Sequence, residues 1–159
     1  MPDLPDTDLT IRAAVHADLD AIVAMLADDP IGATRERPGA PAAAAYQDAF
    51  AAMDADPNQE LIVADDAGRA VGCLELSFLR GLSRMGMLRA QIESVRVARH
   101  LRGRGVGNML FAHAIARARD RGAAIVQLTS DKARPDAIRF YEQLGFTASH
   151  EGLKRSLAP

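Results

Sequence analysis

Between Arg102 and Gly107 the chain reads Arg-Gly-Arg-Gly-Val-Gly, and no other stretch carries chemistry as specific. An apolar, β-branched run precedes it and an amphipathic run follows, so the glycines fall where a strand gives way to a helix. Glycine lets the backbone bend tightly and approach a ligand closely, leaving successive N–H groups pointing outward. The helix start adds about half a positive charge of dipole. Together these make an anion site suited to a pyrophosphate. Two nucleotide readings fail on residue identity. The dinucleotide fingerprint needs a glycine at position 108, where the chain has Asn108. The ATP-binding loop needs Lys followed by Ser or Thr after its last glycine, and neither is present.

Other reactive side chains are scattered. His16, His100, His113 and His150 have no spacing that suggests zinc, so no metal is expected. His113 falls near the apolar edge of a helix and reads as structural, and His150 as a turn residue. Cys73 reads as a small buried hydrophobe, since a thiol nucleophile needs a nearby base that the sequence does not place. Arg80, Arg84 and Arg89 flank the Gly81–Leu88 segment. Arginine forks suit a carboxylate or phosphate, and a solvated rim is the simpler reading. Thr129 to Lys132 can line a site or be a plain polar loop.

These residues need a scaffold. Leu9 to Arg12 alternates as a short strand. Leu19, Ile22, Val23 and Leu26 follow at helical spacing, and Pro30 and Gly32 stop that helix. Tyr46, Phe50 and Met53 stripe a second, alanine-rich helix. Leu61–Ala64 and Ala70–Phe78 flank an Asp-Asp-Ala-Gly turn and predict a hairpin. Gly81 to Leu88 reads as a mobile loop, and Ile92–Val97 as a further strand. A helix with Val106, Leu110 and Ala114 on one face ends at Arg121-Gly122. Ile125–Thr129 is a strand, and Pro135 opens a last helix that ends before Gly145. Phe146–Ala148 and Leu153–Leu157 are expected as two short closing strands. This order implies an α/β fold: a mixed, mostly antiparallel sheet with helices on both faces.

Arg-x-x-Gly-x-Gly between strand and helix resembles the pyrophosphate-binding motif of the GNAT superfamily of N-acetyltransferases. Downstream, Ala137-Ile138-Arg139-Phe140-Tyr141-Glu142-Gln143-Leu144-Gly145-Phe146 resembles its second signature, and the element order matches from Leu9 to Leu157. The resemblance implies acetyl-coenzyme A as cosubstrate. Its pantetheine arm would pair with the backbone of Val95 and Val97. Its pyrophosphate would meet the amides of Arg102, Gly103, Arg104, Gly105, Val106 and Gly107, with Asn108 at the helix start. The strands should part near Val97 and Leu128 to admit it. One position departs from the pattern: Arg134 stands where the superfamily often has Asn, which puts the usual side-chain contact to pantetheine in doubt.

The resemblance also implies roles. Acetyl transfer needs an amine that loses its proton, a stabilised tetrahedral intermediate and a thiolate protonated as it leaves. Tyr141 matches the superfamily's general acid; without that match it reads as a packed core tyrosine. Glu93, beside the expected acetyl group, resembles the general base of some members, and reads equally as a strand residue facing solvent or pairing with Arg96. Glu75 is the reserve base, expected to pair with an arginine. The expected activity is acetyl transfer to a primary amine of a small molecule. A non-catalytic acyl-coenzyme A sensor and an enzyme acting on protein amines are the rivals.

Composition sets the outer limits. The chain has 159 residues, 48% hydrophobic, which suits one domain with a sizeable core and a polar tail over residues 1–8. With 19 basic against 21 acidic residues, the net charge of −2 gives no reason to expect nucleic acid or an anionic membrane as partner. The single cysteine fits a reducing compartment, and the Pro- and Asp-rich start does not suit a signal peptide. A cytoplasmic protein is expected. A homodimer is compatible with the superfamily, though no interface is legible in these residues.

Overall fold

Alternating apolar residues build the sheet. In the computed structural model, which describes residues 9–158, β1 (Thr10–Ala13), β2 (Gln59–Asp66), β3 (Arg69–Arg80), β4 (Leu88–Val97) and β5 (Ile125–Leu128) lie side by side in chain order. The first three pairings are antiparallel and β4–β5 is parallel. The expected tail over residues 1–8 lies outside the described residues. Helices α1 (Leu19–Ala27) and α2 (Ala44–Ala55) cover one face. Helices α3 (Val106–Asp120) and α4 (Pro135–Gln143) cover the other. The expected α/β architecture is therefore observed.

Strand alternation splits the core in two. Ile62, Leu74, Leu76 and Ile92 pack under Leu110 and Phe111 of α3, while Val63 and Cys73 pack under Ile22 and Met25 of α1. Each such buried side chain contributes roughly 1.5–3 kcal/mol of transfer free energy. Gly72 lets α3 approach: a Cβ there would stand 3.1 Å from Leu110 Cδ1 and 3.2 Å from Val106 Cγ1.

Two expectations need correcting. The strand expected from Ile92 begins at Leu88, so residues 81–87 alone join β3 to β4, and they hold one helical turn at Ser83–Gly86. Leu88, Ala90 and Ile92 alternate with half-buried Arg89 and Gln91, a period-two signal that the neighbouring glycines and serine obscure. The closing strands at Phe146–Ala148 and Leu153–Leu157 do not form. Phe146 docks on the aromatic rings of α3 and α4, and the run after it holds only two large apolar residues, Leu153 and Leu157, which stay 93% and 92% exposed. With no apolar face to bury, those segments have nothing to offset the entropy of ordering as strands.

Candidate active site

The glycine turn joins a short 3-10 turn at Arg99–Leu101 to α3. Gly103 and Gly105 have φ of +75° and +83°, a region that costs any other L-residue about 1–2 kcal/mol. A Cβ at either would point into open space, so crowding by the protein does not explain the glycines. The amides of Arg102 and Arg104 are engaged inside the turn, bonding the carbonyls of Arg99 and Leu101 at 3.3 Å. Those of Gly103, Gly105, Val106, Gly107 and Asn108 have no acceptor among the described residues. The turn thus offers clustered N–H donors at the positive end of a 15-residue helix.

Arg102 serves the turn in another way. Its Nε donates to the Val97 carbonyl at 3.1 Å, and its Nη2 to the Asp28 carboxylate at 3.0 Å. Arg99 Nη2 reaches the same carboxylate at 2.5 Å. The Arg99 hydrogen bond, with both guanidiniums' charge, holds the Asp28 carboxyl below its ordinary range. Next in sequence, the Asp29 carboxylate lies 3.2 Å from Arg96 Nη2 and 3.9 Å from Arg134 Nη2. Burial pushes the Asp29 carboxyl up, but the Gly32 amide and the two guanidiniums outweigh it and hold it low. The end of α1 therefore collects arginines from β4, the glycine turn and the start of α4. Arg134, at the usual Asn position, points to this carboxylate.

A groove opens where β5 leaves the sheet. The β4–β5 ladder ends at Ile92 paired with Leu128, so β4 has a free edge from Glu93 to Val97. The parting occurs at Leu128 as expected, but its β4 partner is Ile92 rather than Val97. Ala98 N–H bonds the Val71 carbonyl on the β3 side, so by alternation Val97 and Val95 turn to the free edge. There their carbonyls accept from Arg102 Nε at 3.1 Å and Arg96 Nη1 at 2.9 Å, and their N–H groups stay open among the described residues. A register shift between Cys73 and Glu75, with Ser94 at φ +54°, marks a bulge there.

Because of that bulge Glu75 and Glu93 are register partners. Glu93 is exposed and makes no ion pair with Arg96. Glu75 is half-buried and, contrary to expectation, has no arginine within ion-pair distance among the described residues. Burial, then the nearby charge of Glu93 and Glu36, push its carboxyl up, against a hydrogen bond from Ser94 and the charge of Arg96. An acid raised in the folded state gives stability that is present at low pH and lost as pH rises through the raised value. Glu75→Gln is therefore expected to raise Tm at pH 7 by roughly 2–4 °C. The gain should vanish below about pH 4, where both states hold the proton. Thermal unfolding at the two pH values checks this.

Tyr141 is set by aromatic packing and a helix cap. Its ring lies 5.6 Å from Phe111, 5.6 Å from Phe140 and 6.4 Å from Phe146. Gly145, at φ +90°, ends α4, with its amide on the Glu142 carbonyl and the Phe146 amide on the Tyr141 carbonyl. That is a Schellman cap, and its apolar contact is the Phe146–Tyr141 pair. Gly107 ties the same cluster to the glycine turn: a Cβ there would stand 3.3 Å from Phe140 Cζ. Burial pushes the Tyr141 phenol up, with Arg134 and Arg96 acting the other way.

Other expected candidates stay apart. Cys73 is fully buried and its thiol is pushed up to about 12 by burial, so it is inert near neutral pH. His113 is half-buried and lines a cavity of about 390 Å³ with Phe50, Met53, Glu60 and Arg117, away from the glycine turn. His150 is exposed beside Ser149. No group of three or more His, Cys, Asp or Glu able to hold a metal occurs among the described residues. No helix there is long and apolar enough to cross a membrane. Asp28 and Asp29 are what sequence reasoning missed; two acids after a helix give no local sign of the arginines they gather.

The chain matches the model of the Acetyltransferase (GNAT) family over residues 20–146. The aminoalkylphosphonate N-acetyltransferase of Salmonella typhimurium (strain LT2) is 33% identical over 113 residues, covering 71% of this chain and 73% of that protein. A crystal structure from Bacillus halodurans C-125, described as a transcriptional regulator, is 50% identical with a TM-score of 0.91. It covers 94% of this chain and 99% of its own. A Trypanosoma brucei acetyltransferase structure is 26% identical with a TM-score of 0.77, covering 94% and 100%. Since the glycine turn, the parted strands and the aromatic–Tyr pair all lie inside residues 20–146, the chain belongs to the acetyltransferase (GNAT) family.

Proposed function

We propose that the protein moves an acetyl group from acetyl-coenzyme A directly to a primary amine of a small molecule. One observation carries the reading. The free amides of Gly103, Gly105, Val106, Gly107 and Asn108 open beside a strand edge that has no partner strand from Glu93 to Val97. Donors in a cluster suit the linked phosphates, and a bare edge suits the amides of a pantetheine arm. The open space at the Cβ positions of Gly103 and Gly105 leaves room for the group. Arg102 holds the turn to Val97 and Asp28 rather than facing outward.

Bound acetyl-coenzyme A supplies an activated thioester. The chain's residues then orient the amine, take its proton and return one to sulfur. Glu93, exposed at the mouth of the groove, receives the amine's proton directly or through water; Glu75 opposite it is the alternative acceptor. The Tyr141 hydroxyl donates to the departing thiolate. Holding both substrates together removes much of the barrier without a covalent relay. A fully buried thiol fits a reducing, cytoplasmic setting. The aminoalkylphosphonate acetyltransferase among the relatives supports a small-molecule acceptor.

The test is thiol release by the purified protein with acetyl-coenzyme A against a broad panel of amines. Turnover with at least one small amine, at ten times the rate of spontaneous thioester hydrolysis or more, is expected. A second reading, a coenzyme-binding module without catalysis, is favoured by the description of the Bacillus halodurans relative as a transcriptional regulator. Saturable binding of acetyl-coenzyme A with no turnover on any amine would select it.

A further inference from the structure

The face of the sheet opposite α3 is polar just where β3, β4 and β5 run side by side. Ser77, Gln91 and Gln127 form one row in register across the three strands. Glu75 and Glu93 form the row on one side of it, and Leu79, Arg89 and Ile125 the row on the other. The residues between them, Leu76, Phe78, Ala90 and Ile92, turn to the α3 core. A sheet covered by helices on both faces carries apolar residues on both. Nearer α1 this face obeys that rule, with Val63 and Cys73 buried. The Glu75–Glu93 and Ser77–Gln91–Gln127 rows do not, and Arg89 adds a charge to the third.

Nor is the patch a plain solvated surface. Glu75, Ser77, Arg89, Gln91 and Gln127 are all half-buried. Gln127 Nε2 donates to Gln91 Oε1 at 2.7 Å, which fixes both amides and leaves Gln127 Oε1 and Gln91 Nε2 without partners among the described residues. Charge is graded along the strand. Glu75 and Glu93 lie at the groove end, with Glu36 close enough to act on Glu75. Arg89 lies at the other end, and its side chain makes no ion pair or hydrogen bond among the described residues. Glu93 lies four steps along the strand from Arg89, about 13 Å, before either side chain reaches inward.

We propose that the acceptor is a polar amine carrying an anionic group at its far end, lying along these rows with its amine at Glu75 and Glu93 and its anion at Arg89. The inference rests on the acetyl-transfer reading and narrows it. Carboxylates hold the ammonium before it loses its proton. The Gln91–Gln127 pair offers one acceptor and one amino group to hydroxyls on the body of the substrate. An arginine fork at Arg89 receives a phosphate or carboxylate. An arylalkylamine would leave the glutamine pair unsatisfied and Arg89 without a partner.

Initial rates of thiol release at saturating acetyl-coenzyme A test this in three arms. These are glucosamine 6-phosphate and phosphoethanolamine, then glucosamine and ethanolamine, then 2-phenylethylamine and tryptamine. In the first arm the better substrate should exceed its neutral counterpart at least tenfold in kcat/KM, and the third arm should be weakest. Arg89→Gln should shrink the phosphate preference to within about threefold and Arg89→Lys should keep part of it, with acetyl-coenzyme A affinity reporting an intact fold. Turnover in the third arm equal to or above the first overturns the proposal and leaves acetyl transfer standing. So does an undiminished phosphate preference in Arg89→Gln. Silence in all three arms also overturns it, and acetyl transfer then survives only if the broad amine panel shows turnover.

Discussion

Replacing Gly105 by valine is expected to weaken acetyl-coenzyme A binding at least a hundredfold, with little more loss of stability than the same change at Gly68. Both glycines sit at positive φ, +83° and +88°, and neither has a protein atom within 4 Å of its Cβ position. Each substitution therefore carries the same backbone strain, about 1–2 kcal/mol. Only Gly105 starts α3, with the free amides of Gly103, Val106 and Gly107 around it. A valine there fills the space the phosphates would take and turns the neighbouring donors away. A hydrogen bond to a charged group contributes about 1.5–3 kcal/mol, so losing two accounts for the hundredfold change. Calorimetric titration gives the affinity and thermal unfolding the stability. Gly105→Val with unaltered affinity would remove the glycine turn from the cofactor site. Equal loss of affinity in Gly68→Val would mean that strain alone accounts for the effect.

The contrast between these two glycines also marks how far sequence reasoning reaches. Glycines 103, 105 and 107, the period-3.6 stripe of Val106, Leu110 and Ala114, and the Leu-Gly-Phe run after α4 are local signals, and each lies in or at the end of the element it implied. Registers and long-range pairs are not local. Nothing near Glu75 or Glu93 in sequence places them opposite each other; the bulge at Ser94 does, and it forms through pairing with β3. Nothing local assigns a partner to the Arg102 side chain; the fold brings Asp28 to it from 74 positions away. The closing strands failed for a related reason. Leu153 and Leu157 alternate well enough for a strand, and the outer edge of β5 is open, but the two leucines stay exposed and bury no apolar face. Arg134 departs from the superfamily's Asn, and only the structure shows it facing the carboxylate already held by Arg96.

Tyr141→Phe is expected to lower kcat by a factor of about 10²–10³, the range for losing a positioned general acid, while acetyl-coenzyme A affinity stays within about twofold. Phenylalanine keeps the ring and so keeps the packing on Phe111, Phe140 and Phe146 that sets this end of α4. Only the hydroxyl is lost. A coenzyme thiol with an ordinary pKa of about 8.5 departs as a thiolate near neutral pH and needs a proton to be stabilised as it forms. The Tyr141 phenol, pushed above its ordinary 10 by burial, is fully protonated there and able to give one. The sign of its pH dependence follows. Activity requires the protonated form, and a raised pKa extends that form to higher pH, so a falling limb due to Tyr141 must lie above pH 10. The wild-type profile should be flat from the pKa of the base up to that limb, and the residual activity of Tyr141→Phe should lack the limb. The Glu93→Gln variant separates the other half of the reaction: it should lower kcat and leave the alkaline limb in place. Full activity in Tyr141→Phe would make the tyrosine a packing residue and send the search for the proton donor to ordered water. Loss of cofactor affinity together with kcat would instead make the hydroxyl part of the binding site. Undisturbed binding with turnover already absent in the wild type would favour the sensor reading, because a module that only reports on coenzyme needs the glycine turn and the bare edge of β4 but no acid.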